Sequence, residues 1–253
     1  MDAVALKSIS FAYQATTAAA LSVPDLRIPQ GQRVALIGAS GAGKSTLMRL
    51  LDGRLRGWQG RARVLDQELD PTRRPPRAWR RQVGFIFQSY ALVERLDLHA
   101  NVLNGRLGHI SPWASLTGRF SPRDHQIAHA ALAEVGLADL AGRRVDRLSG
   151  GQRQRVAIAR CLAQEPAMIL ADEPISSLDP ETAATVLQLL QAIVRQRGAT
   201  LILSSHQPQL IAPHVDRFIA MDAGRIVFDG RPADLDEERL AAIYKGASDV
   251  RAA

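Results

Sequence analysis

Gly38-Ala39-Ser40-Gly41-Ala42-Gly43-Lys44-Ser45 follows a short aliphatic run, Val34 to Ile37, and leads into a helical stretch from Lys44 to Asp52. Strand, glycine-rich turn and helix in that order fit G-x-x-x-x-G-K-[ST], in the context the pattern needs. Backbone N–H groups of such a turn converge in front of a helix N-terminus, whose dipole is positive, so the segment predicts a phosphate cradle. Lys44 is expected to reach the β and γ oxygens of a nucleotide, and Ser45 to offer its hydroxyl to Mg²⁺. The lysine itself is informative. Among 32 basic residues only Lys7, Lys44 and Lys245 are not arginine, so this position keeps a compact ammonium in a chain that otherwise avoids one.

Three further short apolar runs read as buried strands: Val83 to Phe87, Met168 to Ala171 and Leu201 to Leu203. Each of the four runs into polar residues at its C-terminal end: the loop at 38 to 45, Gln88, Asp172 with Glu173, and Ser204-Ser205-His206. Ligands of open parallel α/β sheets bind beyond the carboxyl ends of the strands, so these termini predict one shared site. Asp172 is placed to hold the metal through a water and Glu173 to point at an attacking water. Gln88 is a candidate for the metal or the water, and His206 for the γ-phosphate or for steadying Glu173. Read alone, Asp-Glu-Pro is a solvated turn or cap, and a lone histidine is usually a surface or core residue.

Helices are expected at Gln152 to Gln164 and Glu181 to Gln196, completing an α/β alternation. Ala5 to Ser10, Val23 to Ile28 and Ala62 to Val64, with a hairpin of Phe218 to Met221 and Arg225 to Phe228 around Ala223-Gly224, predict a small antiparallel sheet at one side. Residues 90 to 150 lack sheet-like runs and contain a helical stretch from Arg123 to Val135, which predicts an inserted helical lobe. No repeat, low-complexity tract or long C-terminal extension suggests a second cassette or a regulatory domain.

At 253 residues and 46% hydrophobic composition the chain is long and apolar enough for a full core. Its apolar runs are too short to span a bilayer, and the N-terminus has no export-signal pattern. Cys161, the only cysteine, reads as a small buried hydrophobe on a helix face. The net charge of +7 is concentrated in residues 49 to 81, where ten arginines face four acidic residues. Such a field could face anionic lipid or nucleic acid, although charge alone points first to a solvated surface.

A second glycine-rich turn stands apart from the first. In Leu148-Ser149-Gly150-Gly151-Gln152 a serine and two glycines open a helix, leaving N–H groups at a positive dipole end where an anion can approach. With the first loop assigned to the chain's own nucleotide, this one is free for that of another copy.

Together with Ser176-Ser177-Leu178-Asp179, these segments resemble the nucleotide-binding subunits of ABC transporters over nearly the whole chain. The resemblance implies an α/β fold: a P-loop ABC-type ATPase core with an antiparallel β subdomain and an inserted α-helical subdomain. Residues 1–89 and 160–230 would form the core, about 90–159 the helical subdomain, and 231–253 a short tail. It also implies roles. Gly38, Ala39, Ser40, Gly41, Ala42, Gly43, Lys44, Ser45 and Thr46 correspond to the Walker A loop, Gln88 to the Q-loop, and Asp172 and Glu173 to the Walker B aspartate and catalytic glutamate. Ser149, Gly150, Gly151 and Gln152 correspond to the signature that completes a partner's ATP site, Asp179 to the D-loop and His206 to the switch histidine. Tyr13 corresponds to the adenine-stacking aromatic, with Phe11 the alternative. ATP and Mg²⁺ are the implied cofactors, and the implied partners are a second copy, a permease dimer and, indirectly, a solute-binding protein. The implied place is the cytoplasmic face of the membrane.

Residues 86 to 95, 101 to 108 and 115 to 121 look like the phosphonate-importer ATPases, in a lobe where family members touch their permease. Ala91 stands for a more usual asparagine, and Ser204-Ser205-His206 for Asn-Leu-His. A loop as long as 89 to 120 is expected to bind something, here a permease, unless it is irregular surface on which Trp113 packs locally. The competing classes are a nucleic-acid-linked ABC ATPase, which usually has tandem cassettes or coiled-coil insertions, a small-solute importer of another kind, and a phosphotransferase. No nucleic acid is expected as partner.

Overall fold

The apolar runs that predict strands hide two alternating faces. In the computed structural model, which describes residues 1–13 and 19–245, Ala35 and Ile37 enter one hydrophobic cluster while Val34 and Leu36 enter another. Ile169 and Ala171 part from Met168 and Leu170 in the same way. Strands covered on both sides need apolar residues at every position, which is why they read as unbroken runs.

In chain order the strands and helices are β1 (Asp2–Phe11), β2 (Leu21–Pro29), β3 (Arg33–Ile37), α1 (Lys44–Leu51), β4 (Gln59–Val64), β5 (Gln67–Glu68), α2 (Arg77–Arg80), β6 (Val83–Ile86), α3 (Leu98–Leu103), α4 (Pro112–Thr117), α5 (Pro122–Glu134), α6 (Gly150–Ala163), β7 (Met168–Ala171), α7 (Pro180–Arg197), β8 (Thr200–Ser205), α8 (Pro208–Ile211), β9 (Arg217–Asp222), β10 (Arg225–Gly230) and α9 (Glu237–Lys245). One sheet orders the strands β5-β4-β1-β2-β10-β9-β3-β8-β7-β6. From β9 to β6 every pairing is parallel, whereas β1 pairs antiparallel with β2 and β4.

The antiparallel strands are therefore not a separate sheet. The hairpin expected to lie within them is the joint: β9 pairs parallel with β3, and its antiparallel partner β10 meets β2. On one sheet face α1 packs among the antiparallel strands, and on the other lie α3, α5, α6 and α7.

The lobe from 90 is helical, and the stretch 98 to 117, which has no helical periodicity long enough to read, holds α3 and α4. α6 runs through the expected boundary at 159/160, so core and lobe share a helix. Asn101 and Arg106, which sit in segments read for partner contact, are buried and organise the lobe itself. Asn101 bridges to Val93 N–H and C=O at 2.8 and 3.0 Å, and Arg106 binds Asp124 at 2.9 Å, Glu165 at 2.6 Å and the Ala163 carbonyl at 2.8 Å. A buried guanidinium needs such a full set of acceptors. Trp113 does not pack locally: it is 78% exposed, beside Leu116 at 79%.

The stretch from 231, expected as a tail, includes α9, whose Ile243 joins the core. Cys161 is buried as expected, and burial pushes its thiol up to about 12. Among the described residues no helix is long and apolar enough to cross a membrane.

Candidate functional site

β3 stops at Ile37 because Gly38 turns away with φ of 138°, and a Cβ there would lie 2.2 Å from the Met221 carbonyl oxygen. Gly43, with φ of 103°, passes 3.0 to 3.1 Å from the Ala20 carbonyl oxygen and the Gly224 Cα, measured from where its Cβ would be. The Gly224 N–H also donates to Ala42 O at 3.0 Å. The β9–β10 turn thus braces the loop from behind, and only glycine tolerates both the angles and the approach.

Lys44 is buried on the first turn of α1, its Nζ donating to the Gly38 and Ala39 carbonyls at 2.7 and 2.9 Å. Burial lowers its pKa, and the nearby Glu173 and Asp172 oppose the shift. Ser45 Oγ donates to Asp172 Oδ1 at 3.3 Å.

The loop opens on a cleft of about 570 Å³ lined by Tyr13, Ala20, residues 40–46, Gln88, Glu173 and His206. Four strand ends separated by up to 168 positions in sequence meet there, as the polar termini predict. The Glu173 carboxylate is held from two sides: Gln88 Nε2 donates to Oε2 at 3.0 Å, and His206 Nε2 pairs with Oε1. Glu173 itself has φ of 48°, in the left-handed region. Gly38 and Ala39 lie behind the cleft wall, where their carbonyls hold Lys44.

Tyr13 stands in the cleft wall, 41% exposed, with its hydroxyl 3.2 Å from Thr46 Oγ1. Phe11 packs edge-on against it at 4.9 Å between centroids and belongs partly to the core.

The other glycine-rich turn is not in this cleft. Ser149 caps α6 in a capping box, accepting from Gln152 N–H at 3.3 Å while the Gln152 side chain accepts from Ser149 N–H at 3.1 Å. The cap therefore uses one of the N–H groups that the sequence leaves open for an anion. Asp179 caps α7, accepting from Thr182 N–H at 2.9 Å, a bond that lowers its pKa. These two caps are neighbours: a Cβ on Gly151 would stand 2.5 Å from Thr182 Cγ2, and one on Gly150 3.5 Å from Leu178. Tyr90 OH and Ser177 Oγ, 2.7 Å apart, tie the segment after Gln88 to the same surface.

Nothing in the sequence points to Ala20, and sequence reading assigns no bracing role to the turn at Met221 to Gly224 and no specific contact to the buried Ser204, whose hydroxyl contacts both carboxylate-bearing residues. Ser204 carried a signal, as a polar strand terminus and as a departure from Asn-Leu-His, and the turn carried one as the hairpin at Ala223-Gly224, though nothing local tied it to the phosphate loop.

A family model described as ABC transporter matches residues 21–176. A phosphonates import ATP-binding protein PhnC of Chromohalobacter salexigens is 48% identical over 93% of this chain and 86% of its own length. Another, of Thiobacillus denitrificans, is 43% identical over 97% and 93%. Among solved structures, a dimeric ATP-binding cassette in a post-hydrolysis state, bound to ADP and Pi, superposes with a TM-score of 0.75 at 27% identity, covering 90% of this chain and 98% of that one.

Proposed function

The chain belongs to the ABC transporter family, and on that footing we propose that it is the ATP-hydrolysing subunit of an importer for phosphonates or closely related phosphorus compounds. The relatives named for phosphonate import support the cargo, with 43–48% identity across most of the chain. The observation that carries hydrolysis is the Glu173 carboxylate, gripped by Gln88 and His206 at the mouth of the phosphate-loop cleft.

Two copies would close on two ATP molecules, each cleft being completed by Ser149, Gly150 and Gly151 of the other copy. The cassette dimer bound to ADP and Pi supports that assembly. Asp179 lies next to this second surface and would share in it.

Phosphoryl transfer needs positioning and charge stabilisation more than covalent chemistry. Lys44 is already desolvated, so its ammonium would act on the β and γ oxygens at low local dielectric. Glu173 would orient the attacking water and take up its proton, with His206 and Gln88 fixing the carboxylate. Tyr13 would stack on the adenine. Ser45 Oγ and Asp172 Oδ1 are adjacent hard oxygen donors of the kind Mg²⁺ prefers, and with Gln88 they would hold the ion. When bound, the ion supplies positive charge against the phosphates.

Trp113 and Leu116, both exposed on α4, would dock a permease at the cytoplasmic face of the membrane, with the solute-binding protein acting through that permease. Residues 1–89 and 160–230 would serve as the ATP-binding core, and 90–159 would carry the permease contact and the signature.

Glu173→Gln tests the hydrolytic reading. It should bind ATP, accumulate as a closed dimer in light scattering, and turn over about 10²-fold or more slowly. Wild-type turnover would remove Glu173 from the reaction. For the cargo, ATPase activity of the assembled transporter should rise with phosphonate-loaded binding protein; a response to an unrelated solute instead would reassign it.

A further inference from the structure

We infer that Ser204 is a positioning residue that locks the backbone of Glu173 and the carboxylate of Asp172 into one unit. The inference rests on the reading above, in which Glu173 orders the attacking water. Ser204 is the penultimate residue of β8 and fully buried. β7 and β8 pair in parallel, with Leu170 opposite Ile202 and Ala171 opposite Leu203. Carried one step further, that register sets Ser204 opposite Asp172, just past the end of β7 while β8 still pairs with β3.

The direction of each hydrogen bond is fixed by chemistry. Glu173 N–H can only donate, so Ser204 Oγ accepts from it at 2.9 Å. The hydroxyl proton then goes to Asp172 Oδ1, 2.7 Å away. That same oxygen accepts from Ser45 Oγ at 3.3 Å. The Ser204 hydroxyl therefore joins the aspartate to the glutamate backbone, and the aspartate in turn reaches the phosphate-loop helix through Ser45.

Glu173 needs such a tie. A φ of 48° is unfavourable for a side chain of its size, and such a conformation persists only where the surroundings determine it. The Ser204 bond holds the N–H of this strained residue, while Gln88 and His206 hold the far end. The carboxylate is then constrained at both root and tip, leaving little freedom in where it points. An apolar residue at 204 would leave the Glu173 N–H without this acceptor and free the root.

A serine that merely satisfies itself in the core and one that positions Glu173 behave differently when removed. Ser204→Ala should lower kcat for ATP hydrolysis roughly tenfold, the effect of one lost buried hydrogen bond. KM, and the ATP affinity of the isolated subunit measured by fluorescence titration, should stay within about twofold. Ser204→Thr, which keeps the hydroxyl, should restore most of the rate. Should its extra methyl lower the denaturation midpoint, Ser204→Cys serves instead, with a rate between those of serine and alanine. Three results would overturn the inference: wild-type kcat in Ser204→Ala, a parallel fall of kcat and ATP affinity, or rescue variants no faster than alanine. Glu173→Gln in the same assay separates the two readings. If it is nearly inactive while Ser204→Ala is unimpaired, only the role of Ser204 falls; if it turns over normally, the role of Glu173 falls and takes this inference with it.

Discussion

Gly151→Ala should weaken the protein, and Thr182→Ser should make the same change harmless. Gly151 is the second residue of α6, and a Cβ built on it lies 2.5 Å from Thr182 Cγ2, more than an ångström inside normal carbon–carbon contact. Thr182 cannot easily withdraw: its N–H is bound to the Asp179 cap at 2.9 Å, and its short branched side chain has only two favoured rotamers in a helix. Overpacking of this kind costs about 1–3 kcal/mol. Against it stands the helix preference for alanine over glycine, up to about 1 kcal/mol. The single variant should therefore lose up to about 2 kcal/mol net when the full helix preference is subtracted. With Cγ2 removed by Thr182→Ser, the next Thr182 atom, Cβ, is 3.9 Å away, an ordinary contact. Only the helix preference then remains, and Gly151→Ala becomes neutral or stabilising in that background.

A double-mutant cycle by urea denaturation reads this directly, with a coupling of 1 kcal/mol or more expected, flagged by a change of sign. ATPase rate should follow stability back in the double variant if packing is all that glycine provides there. A coupling below about 0.5 kcal/mol would refute the contact argument. Full stability without recovered hydrolysis would instead show that the second copy's nucleotide needs the bare backbone.

Tyr13→Ala should weaken ATP binding by about 1–3 kcal/mol, the range for a base on an aromatic ring, while Phe11→Ala acts mainly on stability; nucleotide titration showing the reverse order would transfer the stacking role. Burial raises the Asp52 pKa to about 6, above its unfolded value of 3.8, so the folded state holds the proton more tightly and stability from this group falls as pH rises from about 4 to 6. Asp52→Asn should remove that fall and so gain up to about 2–3 kcal/mol over wild type at pH 7 but almost nothing at pH 4, less whatever its bonds to Arg54 are worth; parallel pH–stability curves for the two proteins would contradict it. Cys161, with its thiol pushed up to about 12, should resist maleimide at pH 8 in the folded protein and react only on denaturation; rapid labelling of the native state would place it on a surface.

Where residues near in sequence decide an element, the sequence sufficed. Met168–Ala171 forms the strand its four apolar residues predict, and α5 and α7 begin one residue before their expected starts, at Pro122 and Pro180, where proline suits a first turn. The loop at 38 to 45 sits between strand and helix because glycine, lysine and serine at those spacings specify it locally. The convergence of Gln88, Glu173 and His206 was legible too, since each follows an apolar run and parallel strands present their carboxyl ends together.

The rest depended on which strands became neighbours, and no local pattern encodes that. A hairpin of β9 and β10 looks the same in sequence whether it joins the antiparallel strands or docks on β3. Only the sheet order decided that its turn braces Gly38 and Gly43. Asn101 and Arg106 read as surface until α5 and α6 enclosed them, because polarity marks exposure only when no acceptors await inside. Ser204 showed in the sequence as an unusual residue before a histidine. Its place across from Asp172, in the register of two strands more than thirty residues apart, makes that hydroxyl part of the site.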